Sequence, residues 1–233
     1  MIEIVLVRHA QPDWEPGGRA VDHPALSAHG RLQAEALADA LAGERFDACY
    51  TSTLRRAIET SEPVARRLGV EFERCGWLDE LRLPTLEGRT PEQVAEFFAS
   101  ARARDLEKWW DGMADGESFR HLYERASAGI ETLLADVHEI RAHDNSGWRI
   151  WRPPQPDRRL LIVAHEGSLA VILSHLLDVE PAPWAFVRFP SLWAAQSRVA
   201  TVPVADGHAF SLRAFNDISH LLPLGLPPGG RRG

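Results

Sequence analysis

The chain has 233 residues, 45% of them hydrophobic, with 33 acidic against 26 basic side chains and a formal charge of −7. That length suits one large domain or two small ones, and the apolar share is ample for a packed core. The acidic surplus argues against nucleic acid or an anionic membrane as partner, and two cysteines without metal-ligand spacing, Cys49 and Cys75, argue against a disulfide framework or a zinc site.

Ile4-Val5-Leu6-Val7 is a continuous apolar run of the kind that buried parallel strands show, and it stops abruptly at Arg8-His9. No basic leader precedes it, and the apolar stretch Leu169 to Leu177, broken by Ser174 and His175, is far short of the ~20 residues a spanning helix needs. A soluble, cytoplasmic protein is expected. Gln11 to Leu26 is a long loop rich in Pro, Gly, Asp and Arg that should border a ligand site. Ser27 reads as an N-cap for a helix with Ala34, Leu37, Ala38 and Leu41 on one face, stopped by Gly43. A strand from Ala48 to Ser52 leads into a helix from Leu54, which Pro63 should kink or divide before Gly69 ends it. A short strand is expected near Val70 to Glu73.

Thr90-Pro91-Glu92-Gln93 combines a capping box with Pro at the first helical position and predicts a helix to about Asp105. Phe119, Leu122, Tyr123, Ala126, Ile130, Leu133, Leu134 and Val137 form a helical stripe. Between these helices, Lys108 to Gly112 reads as a loop or helix end, with Trp109 and Trp110 packed beneath a cap in preference to lining a pocket. Residues 141–159 lack periodicity and read as an irregular surface loop, with room for a small hairpin around Trp148 and Trp151. Leu160 to Ala164 is a second apolar run that stops at a histidine, His165, and it feeds a helix from Gly167 to Leu177. Phe186 to Phe189, Val199 to Val204 and Ala209 to Phe215 supply further strands, some antiparallel through Asp206-Gly207, and Pro227 to Gly233 reads as a frayed tail.

Ligands of open α/β sheets gather where parallel strands end, so His9 and His165 are expected to share one site. The turn after Ala48 to Ser52 adds a cation, Arg55 or Arg56. Arginine forks and helix N-termini match phosphate oxygens, so the cluster is built for a phosphoryl group.

At these residues the chain resembles the histidine phosphatase superfamily, the group that also contains the cofactor-dependent phosphoglycerate mutases. The resemblance rests on Arg8-His9-Ala10, on Leu26 to Ala34, on Thr51 to Thr60, on Leu78-Asp79-Glu80 with Leu86-Glu87-Gly88, and on Val163-Ala164-His165, in the family's order. It selects Arg56 over Arg55. It implies a three-layer α/β/α sandwich with a mostly parallel central sheet, a single domain over 1–233, and a helical cap insertion, 81–118, over the ligand edge. The implied activity is metal-independent hydrolysis of a small phosphomonoester, with His9 as nucleophile, Arg8, Arg56 and His165 holding the phosphoryl oxygens, and Glu80 as acid and then base. Asp79 and Glu87 are close rivals of Glu80 in sequence. No cofactor or metal is implied, and homo-oligomerisation stays open. Two other readings compete: a phosphoglycerate-type phosphomutase, and a regulatory binding protein on a decayed phosphatase scaffold. His220 resembles a C-terminal family motif but is read as lying outside the substrate contacts.

Four departures stand out. Ala10 replaces the usual glycine, Gln11 replaces a common glutamate, and Pro12 to Arg19 offers no counterpart to a phosphate-binding asparagine. Glu166 stands where glycine is usual, and its carboxylate beside His165 is expected to repel a second anionic group on the substrate.

Overall fold

In the first strand, β1 (Ile2–Arg8), alternate residues are buried on opposite faces, and both faces are covered by helices. Val5 and Val7 pack with Leu161 and Val163 against Leu37, Ala38 and Leu41 of α1 (Ala28–Leu41) and Ala57 and Val64 of α2 (Arg55–Leu68). On the opposite face Ile4 and Leu6 pack with Leu160 and Ile162 against Ile130 of α4 (Phe119–Thr132) and Leu169, Ile172 and Leu173 of α5 (Glu166–Leu176). Each such side chain, fully buried, contributes about 1.5–3 kcal/mol, which is why the uninterrupted apolar runs form the centre of the sheet. The result is the expected three layers. The computed structural model describes residues 1–152 and 157–225, so Pro153 to Pro156 and the tail Pro227 to Gly233 lie outside the described residues.

The remaining strands are β2 (Ala48–Thr51), β3 (Glu73–Arg74), β4 (Arg141–Asn145), β5 (Trp148–Arg152), β6 (Arg158–Ala164), β7 (Gln196–Val204) and β8 (Gly207–Asp217). They form one eight-stranded sheet in the order β3-β2-β6-β1-β7-β8-β5-β4. The mostly parallel sheet expected from the sequence needs correction. β3, β2, β6 and β1 run parallel, but the four pairings from β1–β7 outward are antiparallel. Tight turns at 146–147 and 205–206, where Ser146 and Ala205 take positive φ, join neighbouring strands directly and so dictate antiparallel pairing there. For the same reason residues 141–159 are not an irregular loop: most of them are β4, β5 and the start of β6.

Ser27 caps α1 by accepting Gly30 N–H, and Thr90 and Gln93 cap α3 (Pro91–Arg102) reciprocally. Pro63 does not divide α2, which runs unbroken to Gly69 at φ 67°; Pro63 and Val64 are buried, so packing offsets the one lost backbone bond. The short strand after α2 is two residues long and falls at Glu73–Arg74. Phe186 to Phe189 is not a strand: Ala185–Arg188 is a single helical turn between Pro183 and Pro190.

Within residues 81–118, α3 and a 3-10 turn, Leu106–Asp111, precede α4. Val94 and Leu86 pack on Ala20 of the loop after β1, and the Asp22 carboxylate accepts Leu86 N–H at 2.9 Å and the Thr85 hydroxyl at 2.7 Å. Trp109 stacks on Phe119 and meets Trp184 edge-on, and Trp110 meets Tyr123 edge-on.

Candidate active site

The parallel half of the sheet brings together the ends of three strands. β6 lies between β2 and β1, with Arg8 paired to Ala164 and Thr51 to Val163, so the residues that follow each strand, His9, Ser52 and His165, emerge side by side. The His9 and His165 ring centroids are 5.0 Å apart. Both rings are buried, at 2% and 0% exposure, with Arg8 and Arg56 close by.

His9 is held by its own turn. Its Nδ1 lies 2.7 Å from the Ala10 carbonyl oxygen, which only accepts, so Nδ1 carries the ring proton and Nε2 keeps its lone pair. Burial, Arg56 and Arg8 together hold His9 well below the usual histidine range, the bond to Ala10 opposing them. The ring is therefore neutral and nucleophilic at neutral pH. Ala10 is fully buried and its N–H donates to Thr60 Oγ1 at 2.9 Å, so the extra methyl is accommodated inside the turn. Gln11 takes no part in the cluster: its N–H donates to Gln33 and its carboxamide oxygen accepts the Ser27 hydroxyl at 3.0 Å.

Arg56 is 4% exposed, and its Nε has no hydrogen-bond partner among the described residues. Its guanidinium lies over the Trp14 ring at 5.0 Å, and burial lowers its pKa to about 10 despite Glu80 nearby. A buried arginine left with an unmet donor is a strong anion receptor. Arg8 donates to the Ser191 carbonyl, lies 3.4 Å from a Glu166 carboxylate oxygen and sits 5.9 Å from the Trp193 ring centre. Glu166 also accepts Ser191 N–H at 3.3 Å. Its carboxylate is thus tied to Arg8 and the 191 backbone.

Glu80 reaches the same place from the loop after β3. Its carboxylate accepts Gly167 N–H at 3.0 Å, two residues past His165, and Leu81 N–H at 2.8 Å. A side chain at Gly167 would put its Cβ 2.3 Å from Glu80 Oε1 and displace that carboxylate. The rivals are engaged elsewhere. Asp79 accepts the Ser52 and Thr53 hydroxyls and Thr53 N–H, and the exposed Glu87 accepts Asp22 N–H from the loop after β1. His220 lies 3.5 Å from Gln196.

Sequence reasoning missed the supports of this cluster. Arg125 on α4 clamps Glu117 with two bonds of 2.6 and 2.9 Å and also donates to the Trp77 and Glu80 carbonyls at 3.0 Å, fixing the loop that carries Asp79 and Glu80. Ser52 bridges Asp79 and His165. The signal for Ser52, a hydroxyl at a strand end inside an already matched segment, was present but reads equally as a turn residue.

Residues 4–195 match the Histidine phosphatase superfamily (branch 1). Among curated proteins, phosphoserine phosphatase 1 of Hydrogenobacter thermophilus is 27% identical over 80% of this chain and 82% of its own length. Glucosyl-3-phosphoglycerate phosphatase of Mycobacterium tuberculosis is 29% identical over 78% of each. A solved structure of the mycobacterial glucosyl-3-phosphoglycerate phosphatase superposes with a TM-score of 0.69 at 25% identity, covering 92% of this chain and 98% of that one. The alpha-ribazole phosphatase of Shigella flexneri shares the fold, with a TM-score of 0.69 at 21% identity, covering 92% and 96%.

Proposed function

We propose, from the premise that this chain belongs to the histidine phosphatase superfamily and is a phosphatase, that it hydrolyses a small phosphomonoester through a phosphohistidine on His9. The observation that carries this reading is the pair of buried strand-end histidines, 5.0 Å apart, flanked by Arg8 and Arg56. His9 Nε2 attacks phosphorus as the bond to the leaving oxygen breaks. Arg8, Arg56 and His165 hold the equatorial oxygens, and donors preorganised in this way are worth about 2.7–4 kcal/mol of barrier each. Glu80 gives its proton to the leaving oxygen, then takes one from the water that attacks phosphorus, breaks the P–N bond and frees His9. The engagement of Asp79 and Glu87 elsewhere supports Glu80 in that role. The 81–118 segment acts as the cap, its Trp109 edge-on to Trp184 and stacked on Phe119 of α4, which stacks on Phe186. No step calls for a metal.

Turnover of 4-nitrophenyl phosphate in excess chelator, with an acid-labile phosphoenzyme trapped on rapid quench, is the expected result. Turnover that the chelator abolishes would remove the metal-independent mechanism. Transfer of phosphate between glycerate hydroxyls exceeding hydrolysis would reassign the enzyme as a mutase.

A further inference from the structure

Besides Arg56 Nε, a histidine nitrogen of the cluster lacks a full hydrogen bond among the described residues. His165 Nδ1 is enclosed, with the Ser168 N–H of the following helix turned toward the ring, while His165 Nε2 lies 2.7 Å from Ser52 Oγ. Ser52 has a single hydroxyl proton, and Asp79 Oδ1, 2.7 Å away, is an acceptor that also receives Thr53 N–H at 2.8 Å. Ser52 therefore donates to Asp79, and the only bond left between Ser52 and His165 has Nε2–H as donor. The ring proton is pinned to Nε2, and Nδ1 of the neutral ring is a bare lone pair.

We propose that Asp79 and Ser52 are positioning residues that hold the first His165 proton on Nε2, so that Nδ1 can grip a phosphoryl oxygen only with a second proton, and phosphate binding takes up one proton. The composition is the same whether a phosphate dianion meets an imidazolium or a monoanion shares its own proton with Nδ1. This rests on the reading that phosphate sits between the two histidines, and it specifies the protonation state of the bound ester.

The charges around His165 make the uptake conditional on the ligand. Arg56 from α2, His9 and Arg8 from the end of β1, and Arg125 from α4 all oppose a second proton, and with burial they hold the ring well below the usual histidine range. Asp79 through Ser52, Glu80 at Gly167 and Glu166 next in the chain favour it. An empty site thus keeps His165 neutral, and a phosphate dianion brings the negative charge that admits the proton.

The test is calorimetric titration of inorganic phosphate into the intact enzyme, above the second ionisation of phosphate, in buffers of different ionisation enthalpy. About one proton should be taken up per phosphate bound. Ser52→Ala frees Nε2, lets the neutral ring carry its proton on Nδ1, and should bind phosphate with uptake falling toward zero; Ser52→Thr should restore it. Asp79→Asn, whose amide can donate to Ser52, should lower uptake in the same direction if Ser52→Ala does not fold. The same proton appears as the alkaline limb of kcat/KM for 4-nitrophenyl phosphate, present in the wild type and displaced in Ser52→Ala. No uptake and no alkaline limb in the wild type, or both unchanged in the two variants, would overturn the proposal. Absence of both phosphate binding and aryl phosphate turnover would instead remove the phosphatase reading on which it rests.

Discussion

The four parallel strands and the four beyond β1 share one sheet, yet the cluster of histidines and arginines grows from the parallel half. At the ends of β1, β2 and β6 the chain turns into a loop or a helix, so side chains and helix N-termini converge on one edge. In β4, β5, β7 and β8 the hairpin turns return the chain at once, and the strands end on short turns such as Asp206-Gly207. The second half buries Trp151, Phe210 and Val199 against the helical layer and widens the platform. Strand direction decides which half brings its strand ends together at one edge.

Substitutions should separate the halves. His9→Ala is expected to lower kcat by about 10⁴-fold or more while the melting temperature barely moves, because the nucleophile is lost from a turn held by Ala10 and Thr60. Retained turnover would break the assignment of chemistry to the parallel edge. Trp151→Ala, at 1% exposure and edge-on to Phe210, should cost about 3–5 kcal/mol in a denaturant titration and leave kcat/KM of the folded fraction nearly unchanged. A large loss of kcat there would show that the antiparallel half shapes the site after all. Glu80→Gln should slow alkyl phosphates by about 10²–10⁴-fold and aryl phosphates with acidic phenols far less. Equal slowing would move the acid to another carboxylate.

The smallest effect is in acid. His175, near the end of α5, is held neutral by burial with its pKa lowered from 6.5 to about 4. The unfolded chain takes up this proton first, so the stabilisation is complete above pH 6.5 and is lost as pH falls toward 4. The loss amounts to at most about 3 kcal/mol. Arg149 adds to the effect of burial and Asp178 opposes it. The melting temperature should fall over that window, and His175→Gln should flatten the slope.

The central strands were legible because two-sided burial writes itself as an unbroken apolar run, and the histidines because each run stops on one. Ser27, Thr90 and Gly69 were legible as caps for the same local reason. Direction in the outer half was not: β4 and β5 expose charged residues on both sides of Trp151, so their pattern resembles a loop. Phe186 to Phe189 failed because a four-residue apolar run fits a strand or a turn of helix equally, and flanking prolines decided it. Which nitrogen of each histidine is tethered was invisible, since it depends on a carbonyl one residue away in His9 and on a hydroxyl 113 residues away in His165.

The position of β6 between β2 and β1 also sets an order of events. Ile2 pairs with Arg158 and Ala48 with Leu160, so the two N-terminal strands cannot meet each other and must wait for a strand more than a hundred residues downstream. Contacts this distant close large loops before they return any stability, which slows folding. During synthesis Arg8, His9 and Arg56 are made early, but they have no common pocket until β6 leaves the ribosome, bringing His165 with it. A chain that stops short of that strand has Arg8, His9 and Arg56 and nowhere to assemble them.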